Sequence, residues 1–113
     1  MKLFIFVLNQ PEKLPEVLAA YVEIGIPGAT ILDTVGMGQI LSSGHPVFAG
    51  FRSLMRGSRS ANKTIVAVVD DDAKVAEAIR ILEEICGSFD DPGVSIAFAV
   101  PVDSVKGLRA EPG

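Results

Sequence analysis

Few side chains in this 113-residue chain have the type and spacing that chemistry needs. The dense acidic runs are Asp70-Asp71-Asp72 and Asp90-Asp91. Paired carboxylates can do general acid–base work around a substrate. A run that opens an apolar-periodic segment also caps a helix, and capping accounts for residues 70–72. Cys86 falls on an apolar stripe at helical spacing, where an inert core thiol is expected. His45 is the one histidine, beside Pro46, and one His with one Cys cannot complete a zinc site without donors from another chain. Asn9-Gln10-Pro11 offers no arginine with which to cradle a phosphate as an acylphosphatase-like reaction would require. With no nucleophile and base in an evident constellation, the chain is expected not to be an enzyme.

Charge is the stronger signal. The stretch 36–62 holds 27 residues, five of the eleven glycines and no acidic residue, yet carries Arg52, Arg56 and Arg59. All fourteen acidic residues lie outside it with the other seven basic ones, so a +3 segment sits in a frame of −7. Such segregation points to an anionic ligand or an acidic docking surface. Connections longer than roughly 15 residues in compact domains are usually functional or disordered. Val47, Phe48, Phe51, Leu54 and Met55 recur at helical spacing with the arginines on another face, the pattern of a short amphipathic helix. Three readings stay open for it: packing back onto its own assembly, docking on a partner, or weak attraction to a membrane surface.

The whole chain carries −4 with a pI near 4.8, which argues against a nucleic-acid binder. An apolar fraction of 49% and mean hydropathy of +0.41 exclude a disordered chain. One cysteine allows no internal disulfide, and a reducing cytoplasm is the expected compartment. No apolar run approaches the roughly 20 residues that span a bilayer, and residues 2–8 are too short for a signal peptide. One soluble domain, 1–113, is expected.

The elements that hold these residues repeat. An offset of 61 pairs Lys2 with Lys63, Val7 with Val68, Lys13 with Lys74, Glu16 with Glu77 and Glu23 with Glu84, with matching apolar positions between them. Each half reads as strand, helix, strand. Residues 2–8 form a continuous apolar strand. Leu14, Val17, Leu18, Tyr21 and Val22 form a helix that Gly25 closes, and 29–35 form a second strand. Residues 63–69 make the third strand, and Val75, Ala78, Ile79, Leu82, Ile85 and Cys86 stripe a helix that Gly87 ends. The fourth strand is 94–102, where Pro101 is tolerable only at an edge or strand end.

Tandem βαβ units predict an α+β, ferredoxin-like fold: a four-stranded antiparallel sheet with both helices on one face. Strands one, three and four are apolar on both faces. A lone copy would leave one of the two sets to water, Leu3, Ile5 and Val7 or Phe4, Phe6 and Leu8 on strand one and the like on strands three and four, so a homo-oligomer is expected to bury it. An RNA-recognition domain shares this topology but needs a basic surface beside its exposed aromatics, and only Lys2 flanks Phe4, Phe6 and Phe98.

In order and spacing, Gly25-Ile26-Pro27-Gly28-Ala29-Thr30, Gly36-Met37-Gly38-Gln39, Gly44-His45, Val68-Val69-Asp70-Asp71, and Pro101-Val102-Asp103 leading to Leu108-Arg109 resemble the PII signal-transduction (nitrogen regulatory) family and its PII-like relatives. The resemblance spans nearly the whole chain. It implies a cytoplasmic trimer with sheets facing inward and adenine-nucleotide sites in clefts between subunits. It also implies a long T-loop, here 36–62, that regulates a partner. The partner would be a transporter, channel or metabolic enzyme, with membrane association at most through it and no nucleic acid.

Carried over position by position, the nucleotide-binding set implied is Thr30, Gly36, Met37, Gly38, Gln39, Gly87, Lys106 and Arg109. Glycines at the loop base let backbone N–H groups approach phosphates, Thr30 matches a position whose polar group faces the adenine, Arg109 matches the second of the family's two phosphate-holding arginines, and Lys106 is the substitute for the first, whose place Gly107 takes. The partner-binding set implied is Phe48, Phe51, Arg52, Arg56 and Arg59. No cofactor is implied; the effector is ADP, AMP, cyclic AMP or ATP. The second loop, Cys86 to Val94, lacks the family's lysine and adds Asp90 and Asp91, while Val66 replaces the glutamate tied to 2-oxoglutarate and magnesium sensing. Extra carboxylates beside a triphosphate are unfavourable, which shifts the expectation to a less charged adenine nucleotide such as AMP, ADP or cyclic AMP, or to another small metabolite. The alternative is a copper-tolerance CutA-like trimer, or a ferredoxin-like scaffold without nucleotide binding.

Overall fold

The computed structural model describes residues 1–41 and 62–108. His45, Phe48, Phe51, Arg52, Arg56, Arg59 and Arg109, with the amphipathic pattern over 47–55, lie outside the described residues. The chain runs β1 (Lys2–Leu8), a 3-10 turn (Pro11–Lys13), α1 (Leu14–Glu23), β2 (Thr30–Thr34), a short α2 (Met37–Leu41), β3 (Asn62–Val69), α3 (Asp72–Cys86) and β4 (Ser95–Pro101). The sheet order is β2-β3-β1-β4, antiparallel throughout, which is the tandem βαβ arrangement the repeat predicts.

Local sequence explains where each helix starts and stops. Pro15 sits in the first turn of α1, where a missing N–H costs nothing. At its end, the Ile26 amide donates to the Tyr21 carbonyl at 2.8 Å and the Gly25 amide to Val22 at 3.1 Å, with Gly25 at φ +86°. That pair of bonds around a left-handed residue is a Schellman cap. Asp71 caps α3, its carboxylate accepting from the Ala73 amide at 2.8 Å. Gly87, at φ +100°, ends α3.

Alternation within the strands sets the core. Phe4, Phe6 and Leu8 of β1 and Ile65, Ala67 and Val69 of β3 are buried with Val17 and Tyr21 of α1 and Ala78, Leu82 and Cys86 of α3 in one cluster. Both long helices therefore cover a single face. On the other face Leu3, Ile5, Val7, Val66 and Val68 are half-buried, while Ile96, Phe98 and Val100 of the edge strand β4 are 57%, 44% and 40% exposed. Pro101 ends that edge strand, where its missing N–H disrupts no ladder.

Several boundaries differ from the sequence reading: β3 opens at Asn62 rather than 63, and β4 is Ser95–Pro101 rather than 94–102. β2 is Thr30–Thr34 rather than 29–35, because the outermost strand pairs with β3 alone. The long connection opens with helix: Met37–Leu41 winds into a turn, the Ile40 amide reaching the Gly36 carbonyl at 3.2 Å and Ile40 becoming buried.

Candidate functional site

The residues implied for nucleotide binding divide between opposite ends of the sheet. Thr30 begins β2 and Gly36 to Gln39 follow its far end, so β2 itself separates them by roughly 13 Å at ~3.3 Å per residue. Gly87 belongs to the Gly36 end. The Gln10 side-chain amide, just beyond β1, donates to the Cys86 carbonyl at 3.1 Å. Lys106 belongs to the Thr30 end, since the chain leaves β4 beside Met1, where the Val102 amide meets the Met1 carbonyl at 3.2 Å. Thr30, Met37, Gly38, Gly87 and Lys106 are all exposed. One chain does not bring the set into one pocket.

The Thr30 end has a shaped cleft of about 280 Å³ between the α1–β2 turn and the end of β3. Ile26, Pro27, Val68, Val69 and Leu108 give it apolar walls, and Asp70 and Lys74 its polar edge. The Lys74 ammonium donates to the Asp70 carboxylate at 2.9 Å and to the Gly25 carbonyl at 3.0 Å. The hydrogen bond and charge of Lys74 hold the Asp70 carboxyl below the ordinary aspartate range.

The Gly36 end is polar. The Thr34 hydroxyl donates to Asn62 Oδ1, Asn62 Nδ2 donates to Asn9 Oδ1 at 3.1 Å, and Asn9 Nδ2 donates to the Gly93 carbonyl at 3.2 Å. Asn62 is only 3% exposed. In the turn between α3 and β4, the Phe89 ring stacks on Phe6 with centroids 5.7 Å apart, and its amide donates to Glu83 Oε2 at 3.0 Å. Asp90 and Asp91 stay exposed beside it.

A family model described as nitrogen regulatory protein P-II matches residues 1–112. The chain belongs to the P-II family. Among curated proteins, none matches it. This P-II family member is a signalling protein of that type, and the family is in general regulatory rather than enzymatic. Among the described residues, no helix is long and apolar enough to cross a membrane.

Sequence reading passed over Asn62, Thr34, Thr64 and Lys74 as site residues. Parity is the signal that finds the first three: Asn62 and Thr64 have the same parity as Val66 and Val68, so they share the open face, opposite Leu32 and Thr34. For Lys74 the signal is the offset of 61 that pairs it with Lys13, each lysine opening its helix.

Proposed function

We propose that this P-II family member is a non-enzymatic sensor. Three copies form a ring, an adenine nucleotide binds in the clefts between them, and the 36–62 connection carries the signal to a partner protein. The separation of the implied binding residues to opposite ends of one sheet carries this reading. A nucleotide that needs both ends needs two copies arranged head to tail, and a head-to-tail contact that closes makes a ring. The apolar open face of Leu3, Ile5, Val7 and Phe98 supplies surface for it, and family members generally form homotrimers. Arg109 and the arginines of the long connection would supply positive charge near the phosphates.

Charge favours a nucleotide with few phosphates. From residue 81 to 105 there is no Lys or Arg, while Glu83, Glu84, Asp90, Asp91 and Asp103 fall there. Carboxylates near a triphosphate raise its binding free energy through repulsion that water only partly screens. AMP, ADP or cyclic AMP fits better than ATP. The partner is read as a transporter, channel or metabolic enzyme in the cytoplasm.

Native mass spectrometry with AMP, ADP, ATP and cyclic AMP tests the reading. A trimer that takes up as many as three copies of one nucleotide supports it. Gly38→Leu should then lose the nucleotide and keep the trimer, because among the described residues nothing lies within 4 Å of a Cβ at Gly38. A monomer overturns the ring, and a trimer that binds none of the four leaves a scaffold.

A further inference from the structure

Of the described residues that line the cleft at the Thr30 end, only Asp70 and Lys74 are ionisable. They stand four positions apart at the start of α3, where side chains share a face, and their facing atoms lie 2.9 Å from each other. A second bond sets the pair apart from an ordinary surface pair. The Lys74 ammonium also donates to the Gly25 carbonyl at 3.0 Å, so it is tied to the turn after α1 as well as to its own helix. Its side chain is 29% exposed, while that of Asp70 is 61% exposed.

Neither group is saturated. An ammonium carries three donors, and the described contacts of Lys74 use two of them. A carboxylate offers about four acceptor sites, and Lys74 takes one, at Oδ1. The polar edge of the cleft is therefore a donor beside an acceptor, each with capacity left. Its complement is a group that sets an acceptor beside a donor on one edge, and adenine does so with a ring nitrogen next to its amino group. Ile26, Pro27, Val68 and Leu108 supply apolar surface in the rest of the cleft.

We propose that Lys74 and Asp70 are the residues with which this chain reads the base of its nucleotide, Lys74 donating to a ring nitrogen of adenine and Asp70 accepting from the amino group. This rests on the reading that an adenine nucleotide binds. The base takes the third donor of the ammonium, so binding leaves the bond from Lys74 to the Gly25 carbonyl in place.

Isothermal titration calorimetry on the native assembly tests the assignment with two probes: AMP, and purine riboside 5′-monophosphate, which is AMP without the amino group. Wild type should prefer AMP by about tenfold, the scale of one hydrogen bond to a charged group. Asp70→Ala should keep the circular dichroism spectrum, since that side chain is largely exposed, and should bring the two affinities close to equality. Lys74→Met should weaken both by about tenfold, because both probes carry the ring nitrogen. Equal wild-type affinities, or a preference that survives Asp70→Ala, overturn the role of Asp70; unchanged binding by Lys74→Met overturns that of Lys74. Wild type that takes up neither probe overturns the assignment, and the sensor reading falls with it only if ADP, ATP and cyclic AMP also fail to bind.

Discussion

Lys13 and Lys74 hold the same position in the two halves of the repeat, and each places its ammonium on the C-terminal end of the other half's helix. Lys13 Nζ donates to the Ile85 carbonyl at 2.6 Å and Lys74 Nζ to the Gly25 carbonyl at 3.0 Å. Neither α1 nor α3 has a basic residue in its own last turn, so each helix takes its C-terminal cation from its neighbour. The antiparallel packing of two equivalent helices makes the exchange reciprocal, and it satisfies carbonyls while meeting the negative end of the dipole.

Lys13→Met and Lys74→Met should therefore each lower stability by about 1 kcal/mol, the scale of one hydrogen bond with a dipole contribution. The two act at opposite ends of the helix pair, so the double variant should show nearly the sum. Urea unfolding at one fixed protomer concentration measures this.

Asp70 gives the protein an acid-sensitive contact. Its folded carboxyl titrates below the ordinary range because Lys74 bonds and faces it. A depressed folded value means the contribution is present above the unfolded value, near pH 4, and is lost as pH falls through the folded one. Asp70→Asn should flatten the decline in thermal midpoint between about pH 5 and pH 3 relative to wild type. An unchanged decline would assign the acid limb to other carboxylates, such as Glu77, which Arg80 depresses in the same way.

Tyr21 is 2% exposed, its ring lies 6.2 Å from that of Phe4, and its buried hydroxyl has no hydrogen-bond partner among the described residues. Burial raises its phenol pKa, so the group stays neutral. Removing a polar atom that has lost water and gained nothing costs no bond. Tyr21→Phe should be neutral or more stable by up to about 1 kcal/mol, whereas Phe6→Ala, which empties the centre of the core, should cost about 3–5 kcal/mol by the same denaturant assay.

Gly25 and Gly28 separate backbone strain from open space. At Gly25 φ is +86°, and a Cβ would lie 3.2 Å from the Lys74 Cε and Nζ atoms; at Gly28 nothing among the described residues lies within 4 Å of one. Gly25→Ala should cost about 1–2 kcal/mol and displace Lys74 from the cleft, while Gly28→Ala should change stability by less than about 0.5 kcal/mol.

Phe98→Asp tests the open face. Phe98 is 44% exposed on an edge strand and contributes nothing to the buried cluster, so the variant protomer should keep its circular dichroism spectrum. Its oligomer should dissociate by sedimentation, because an uncompensated carboxylate in an apolar contact is costly.

Strand alternation, the apolar stripes on two helices, the caps at Asp71 and Gly25, and the offset of 61 were all written locally. Each depends on residues within a few positions of one another, or on one pattern repeated. The fold class and the doubly apolar strands followed from them. The exchanged lysines and the hydrogen bonds that link Thr34, Asn62, Asn9 and the Gly93 carbonyl came only with the tertiary structure. They join residues as much as 84 positions apart, and the direction of a hydrogen bond depends on where a distant acceptor lies. The implied nucleotide residues were legible one at a time, by position, but their division between two ends of the sheet was not. Separation along β2 is a length in space, and among the described residues it keeps Thr30 and Gly36 at opposite ends of one sheet.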